Sequence, residues 1–137
     1  MIVHGGLICL DRRGVLIIGP SGAGKSDLAL RAMDMGFHLV ADDRTLVWVS
    51  GGRLYGRAPD SIAGRIEVRG LGVIEACALG FVQIVMVAAC VERVERLPEP
   101  DSQDILGVPL PRFDLLPLEA SAPAKLRHAL IHLGERS

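Results

Sequence analysis

Val15-Leu16-Ile17-Ile18-Gly19-Pro20-Ser21-Gly22-Ala23-Gly24-Lys25-Ser26 joins an apolar run to a glycine-rich loop, and Asp27 to Met35 continue it at helical spacing. Strand, loop and helix in that order make a phosphate-binding loop of the pattern G-x-x-x-x-G-K-[ST], here Gly19 to Ser26. Glycines let backbone N–H groups close around phosphate oxygens, and the helix N-terminus adds positive potential. Lys25 can reach the outer phosphates of a nucleotide, and the Ser26 hydroxyl can ligate Mg²⁺. Only two of the 15 basic residues are lysines, Lys25 and Lys125, so a lysine in the loop is not a by-product of a lysine-rich chain. These residues predict a nucleoside triphosphate-binding protein.

The flanking residues predict an α/β layout with a mixed sheet and flanking helices. Ile2-Val3 and Leu7 to Leu10 read as strands, and Asp11-Arg12-Arg13-Gly14 as the turn of a hairpin. Leu28, Ala32 and Met35 form one stripe of the helix after Lys25, with Ala29 and Met33 beside it and Gly36 as its stop. Leu39-Val40-Ala41 returns as a strand, and Thr45 to Val49, Gly51-Gly52 and Arg53 to Tyr55 read as a second hairpin. Ile66 to Arg69 and Val82 to Ala88 add strands. Pro98 to Pro117, with five prolines, reads as a loop-rich connection to a last helix. There Ser121 caps, Pro123 sits in the first turn, and Leu126, Leu130 and Leu133 form the buried side.

A length of 137 residues, half of them hydrophobic, predicts a single domain over 1–137 with a real core. A net charge of -1 with interspersed signs shows no basic stripe, which disfavours nucleic acid. Cys9, Cys77 and Cys90 are odd in number and share no C-x-x-C spacing, so they read as small core residues in a reducing compartment. No signal-peptide pattern opens the chain, and the apolar stretch Ala76 to Val91 is interrupted by Gly80 and Gln83 and rich in β-branched residues. It reads as a buried strand, not a membrane span, and the expected location is cytoplasmic. His128 and His132, one helical turn apart, lack a third metal ligand; Arg12-Arg13 reads as a charged turn.

Asp42-Asp43 falls at the carboxyl end of the strand after the phosphate-loop helix, where ligand groups gather in open α/β sheets. One carboxylate can bind or orient Mg²⁺, directly or through water, while the other accepts a proton from an attacking hydroxyl. Adjacent residues of a strand point to opposite faces, so the two acids need not share a role.

His4-Gly5, the Gly19 to Ser26 loop, Leu39 to Asp43, Gly56-Arg57-Ala58-Pro59 and Ile66 to Ile74 occur together in an order and spacing similar to the catalytic domain of HPr kinase/phosphorylase. The resemblance spans residues 4–74, is weaker beyond, and implies a P-loop kinase fold. It implies an ATP- and Mg²⁺-dependent enzyme that phosphorylates a serine of HPr, the phosphocarrier of the sugar phosphotransferase system, and so regulates carbon and nitrogen metabolism. Many members also reverse the modification with inorganic phosphate. By resemblance, Asp43 is the proton acceptor, Asp42 a supporting carboxylate, Glu67 a second Mg²⁺ ligand beside Ser26, and His4 and Arg96 active-site residues. The same likeness implies a homo-oligomer, in the family a hexamer.

Departures from the family pattern carry expectations of their own. The chain starts just before His4 and so resembles the catalytic domain alone. Pro20 replaces a commonly acidic loop residue, Leu79 to Val82 stand where the family has a basic loop, and Pro117 to Ser121 lack the arginines tied to dephosphorylation. Phosphorolysis brings several negative charges together and needs cations, so that direction is expected to be weak or lost. Two other readings share the phosphate loop: a small-molecule kinase, for which no arginine-bearing lid is evident, and a module that senses ATP without transferring phosphate.

Overall fold

A computed structural model describes residues 1–59, 65–68, 71–75 and 80–136, with the backbone alone at 65–68, 73–75 and 133–136. The chain opens with a hairpin of β1 (Ile2–Leu10) and β2 (Arg13–Ile18), paired from Leu10↔Arg13 to Gly5↔Ile18. Its turn is shorter than the four residues expected: Asp11 and Arg12 alone make it, both at positive φ, and Arg13 and Gly14 already belong to β2. Such a two-residue turn matches the right-handed twist of the strands it joins.

The phosphate loop leads from β2 into α1 (Lys25–Met33). This helix begins and ends two residues earlier than expected from the sequence. Phe37 N–H bonds to the Ala32 carbonyl and Gly36 N–H to that of Met33, the paired bonds of a Schellman ending around Gly36. Leu28, Ala29 and Ala32 are buried.

Strand β3 (His38–Ala41) pairs with the second half of β1, and β4 (Arg44–Ser50) with its first residues, Ile2 to His4. β4 and β5 (Arg53–Arg57) form the second expected hairpin, turning at Gly51-Gly52, both at positive φ. β6 (Arg65–Val68) and β7 (Gly72–Glu75) form a separate ribbon, with β6 beside α1. The long strand β8 (Val82–Cys90) runs parallel to β2 on one side; its first two residues meet β5 on the other. The strands β2, β1, β4, β5 and β8 thereby close into a ring. No helix among the described residues is long and apolar enough to cross a membrane.

The proline-rich stretch departs from its expected form. It contains β9 (Asp101–Ile105) and β10 (Val108–Leu115), an antiparallel pair, and β10 runs parallel to β8 from Arg112↔Val87 onward. Pro109 and Pro111 lie two residues apart in the part of β10 that pairs only with β9. Their nitrogens, which cannot donate, therefore share the open side, where a strand tolerates proline. Pairing with β8 starts at the next residue.

The last helix, α2 (Ala122–Arg136), packs on α1 and begins where the Ser121 carbonyl accepts the Lys125 N–H. Alternation along the sheet sorts its apolar side chains into two cores. Ile8, Val15, Ile17, Ala88 and Cys90 face the helices with Leu28, Leu126 and Leu130. Leu7, Cys9, Leu16 and Val87 face the other way, under Val47, Leu54 and Leu110 of the two hairpins. Arg13 reaches α2, donating to the Leu130 carbonyl at 3.2 Å, so it joins strand to helix rather than serving only as a charged turn residue.

Candidate active site

The phosphate loop needs backbone that L side chains rarely adopt. Gly19, Gly22 and Gly24 all lie at positive φ, and a Cβ on Gly19 would come within 2.9 Å of the Cys90 Cβ. A turn closes with Ala23 N–H on the Pro20 carbonyl at 3.1 Å, and the Gly24 carbonyl accepts the Leu28 N–H at 2.9 Å as the first bond of α1. The first N–H groups of that helix have no partner within it, which makes its start a seat for anions. Lys25 Nζ donates to the carbonyls of Gly19 at 2.7 Å and Pro20 at 3.1 Å, so its charge is held across the loop.

Ser26 Oγ donates a 2.8 Å hydrogen bond to Asp42 Oδ1. This contact joins the phosphate loop to the acidic pair across 16 residues of chain. The two acids lie past the end of β3, in the turn before β4, and not within a strand as the face argument assumed. Arg44 N–H bonds to the Asp42 carbonyl at 2.7 Å, and Asp43 between them has φ 66°. A three-residue turn at positive φ is an uncommon, strained conformation of the kind that gathers at functional sites. Asp42 is half-buried and Asp43 exposed, so the turn, rather than strand alternation, gives the neighbours different surroundings.

His4 joins this end of the sheet by register. It is exposed on β1 and pairs with Arg44, the residue that closes the Asp43 turn, while neighbouring Gly5 pairs with Ile18, the residue before the phosphate loop. Thr45 Oγ1 donates to the Gly5 carbonyl at 2.8 Å and fixes β4 to β1 at that point. Glu67 has a backbone position on β6, opposite Val73 and beside α1; its side chain is outside the described residues.

Arg96 stands elsewhere. It lines a cavity of about 690 Å³ with Phe113, Asp114, Lys125 and His128, a space that includes no phosphate-loop residue. His128 and His132 border the same cavity, and no group of three or more His, Cys, Asp or Glu residues suited to a metal occurs among the described residues.

A second cavity, about 830 Å³, opens against the phosphate loop itself. Pro20 to Ala23 form one wall, Cys90 to Glu92 its floor and rim, and Leu116 to Leu118 the facing wall. Burial pushes the Cys90 thiol above its ordinary pKa, and the charge of Lys25 acts against that rise. In the sequence, Pro117 and Leu118 of this wall stand out only by resemblance, within the segment that lacks the family's arginines, and nothing there marks Leu116 to Leu118 as a wall facing the phosphate loop. Asp42, expected only in a supporting role, is the acid that contacts Ser26.

The chain and its fold have counterparts. Residues 1–121 match the family model for the HPr serine kinase C-terminal domain. An HPr kinase/phosphorylase of Polaromonas naphthalenivorans is 34% identical over 96% of this chain and 48% of its own. One from Mycoplasmopsis pulmonis is 45% identical over 53% of this chain and 24% of its own. The structure of the HPr(Ser) kinase/phosphatase from Coxiella burnetii superposes with a TM-score of 0.83 at 24% identity, covering 98% of this chain and 99% of that one. The chain spans about half the length, or less, of these two curated relatives. The mixed sheet with two flanking helices is a P-loop kinase fold, and the chain belongs to the family of the HPr serine kinase C-terminal domain.

Proposed function

We propose that this chain is the catalytic domain of an ATP- and Mg²⁺-dependent serine kinase acting on an HPr-like phosphocarrier protein in the cytoplasm. The observation that carries the reading is the 2.8 Å bond from Ser26 to Asp42 at the start of the phosphate-loop helix, within a chain of this family. Ser26 Oγ and Asp42 Oδ1 offer hard oxygen donors only, and Mg²⁺ is commonly held by one or two such groups together with substrate phosphates and water. Glu67 is the further ligand that the family resemblance suggests. When bound, Mg²⁺ would offset phosphate charge.

The residues of the chain divide the remaining work. The loop N–H groups and Lys25 hold the phosphates of ATP. Asp43, exposed on its strained turn, takes the proton of the incoming serine hydroxyl as that oxygen bonds to the γ-phosphorus and the bond to the β–γ bridging oxygen breaks, leaving ADP. His4, one strand away, can hydrogen-bond a phosphate or hold a carboxylate. Arg96 would assist only from the rim of its own cavity.

Phosphorolysis is expected to be weak. A guanidinium does stand beside the segment Pro117 to Ser121, but it is that of Arg31, and each of its nitrogens already donates one hydrogen bond, to Asp27 or to the carbonyls of Pro117 and Glu119. Self-association follows from the family resemblance as part of the same reading.

The test is incubation with γ-labelled ATP, Mg²⁺ and the host's HPr, beside an Asp43→Asn control. Label on an HPr serine that disappears in the variant is the expected result. ATP binding without transfer to HPr would replace the kinase with a nucleotide-sensing module.

A further inference from the structure

A triphosphate laid along Gly19 to Ser26 leaves its nucleoside to be housed outside the loop. The cavity against that loop has the size of a small-molecule site, at about 830 Å³ within the roughly 300–1,000 Å³ such sites occupy. The cavity around Arg96 is closed to this role because it touches no phosphate-loop residue.

The facing wall is unusual for a surface loop. Leu118 is 76% exposed, yet it leans on the loop: a Cβ added to Gly24 would lie 3.1 Å from Leu118 Cδ2. A large apolar side chain left in water beside a phosphate site is what a flat, weakly polar ring system would cover. The wall is also held in place. Arg31, on the helix that starts in the phosphate loop, donates to the carbonyls of Pro117 and Glu119, and Asp27 one turn earlier accepts its Nε at 2.9 Å. On the other side the Leu115 carbonyl accepts the Val91 N–H at 3.0 Å, tying the floor to the wall. Loop and wall are therefore two parts of one rigid frame.

We propose that Leu118, with Val91 and Leu116, seats the nucleobase of the bound nucleotide, and that Arg31 positions this wall against the phosphate loop. The inference rests on the phosphate-loop reading above and adds a base-recognition surface to it.

Titration calorimetry with Mg-ATP and with Mg-tripolyphosphate separates the two. Tripolyphosphate reports the loop alone, and the excess affinity for ATP reports the seat. The wild-type chain should bind ATP about tenfold or more tightly than tripolyphosphate, a factor in keeping with partial burial of one leucine. Leu118→Ser should remove most of that excess while tripolyphosphate affinity stays within about twofold, and Leu118→Met should keep it. Because Leu118 is exposed, neither substitution disturbs the core. Equal binding of ATP and tripolyphosphate by the wild type, or an excess that survives Leu118→Ser, would overturn the seat and leave the loop intact. Binding of neither ligand would overturn the phosphate-loop reading and the seat with it.

Discussion

Among the described residues Thr45 is the one buried polar side chain, and its hydroxyl meets the Gly5 carbonyl next to His4. Thr45→Val keeps the shape and leaves that carbonyl without its partner, a change worth about 1–3 kcal/mol. Urea unfolding should show the loss as a lower midpoint with an unchanged slope; an unshifted midpoint would mean the bond adds nothing net. Ser26→Ala removes a metal ligand of the proposed site as well as the bond to Asp42. It should weaken nucleotide binding about 10–100-fold in Mg²⁺ and little in EDTA, which parallel titrations would distinguish from a general failure of the loop. The phosphate loop was legible because each of its residues has a chemical task that few others can perform. The division of labour between Asp42 and Asp43 was not, because it depends on a turn at Asp43 with φ 66° and on a hydroxyl 16 residues away.

Strands and helices were legible to the degree that one period governed them. The continuous apolar run of β2 reads as buried on both faces, and its residues do divide between the two cores. The pair β9 and β10 was not legible because proline normally argues against a strand, and only the sheet order shows that Pro109 and Pro111 precede the pairing with β8. A local signal was present in Leu106-Gly107, a two-residue turn between Ile105 and Val108 with both residues at positive φ. Asp104 Oδ1 supports it by accepting the Gly107 N–H at 2.9 Å. Gly107→Ala forces a side chain into that conformation and should cost about 1–2 kcal/mol, read by thermal unfolding. In α2, Leu126 is fully buried against the helix-facing core, so Leu126→Ala should cost about 2–5 kcal/mol, the larger value if the space cannot collapse. An effect below about 1 kcal/mol would show that α2 is not an integral part of the packed unit.

At the scale of the molecule, the site depends on register between strands distant in sequence. His4 meets the Asp43 turn because the first residues of β1 pair with β4, and it nears the phosphate loop because Gly5 pairs with Ile18. No local pattern could disclose that meeting; the family resemblance supplied it. The same sheet carries a buried thiol on each side, Cys90 toward the helices and Cys9 toward the hairpins. Burial is the largest cause raising both above the ordinary value of 9.0; a backbone hydrogen bond at His38 acts against it for Cys9 and the Lys25 charge does so for Cys90. The folded chain therefore keeps protons that the unfolded chain releases as pH rises past about 9, and the linkage slope there is negative. The stabilisation from the two protonated thiols is fully present below the unfolded pKa and is lost as pH climbs through the raised folded values. Urea midpoints measured from pH 7.5 to 10.5 should fall at the alkaline end for the wild type. In a Cys9→Ala/Cys90→Ala chain the midpoint should start lower because of the space left in each core, but the alkaline decline should be shallower. Parallel declines in the two chains would mean that other groups set the alkaline limit and that burial of the thiols has no titration consequence.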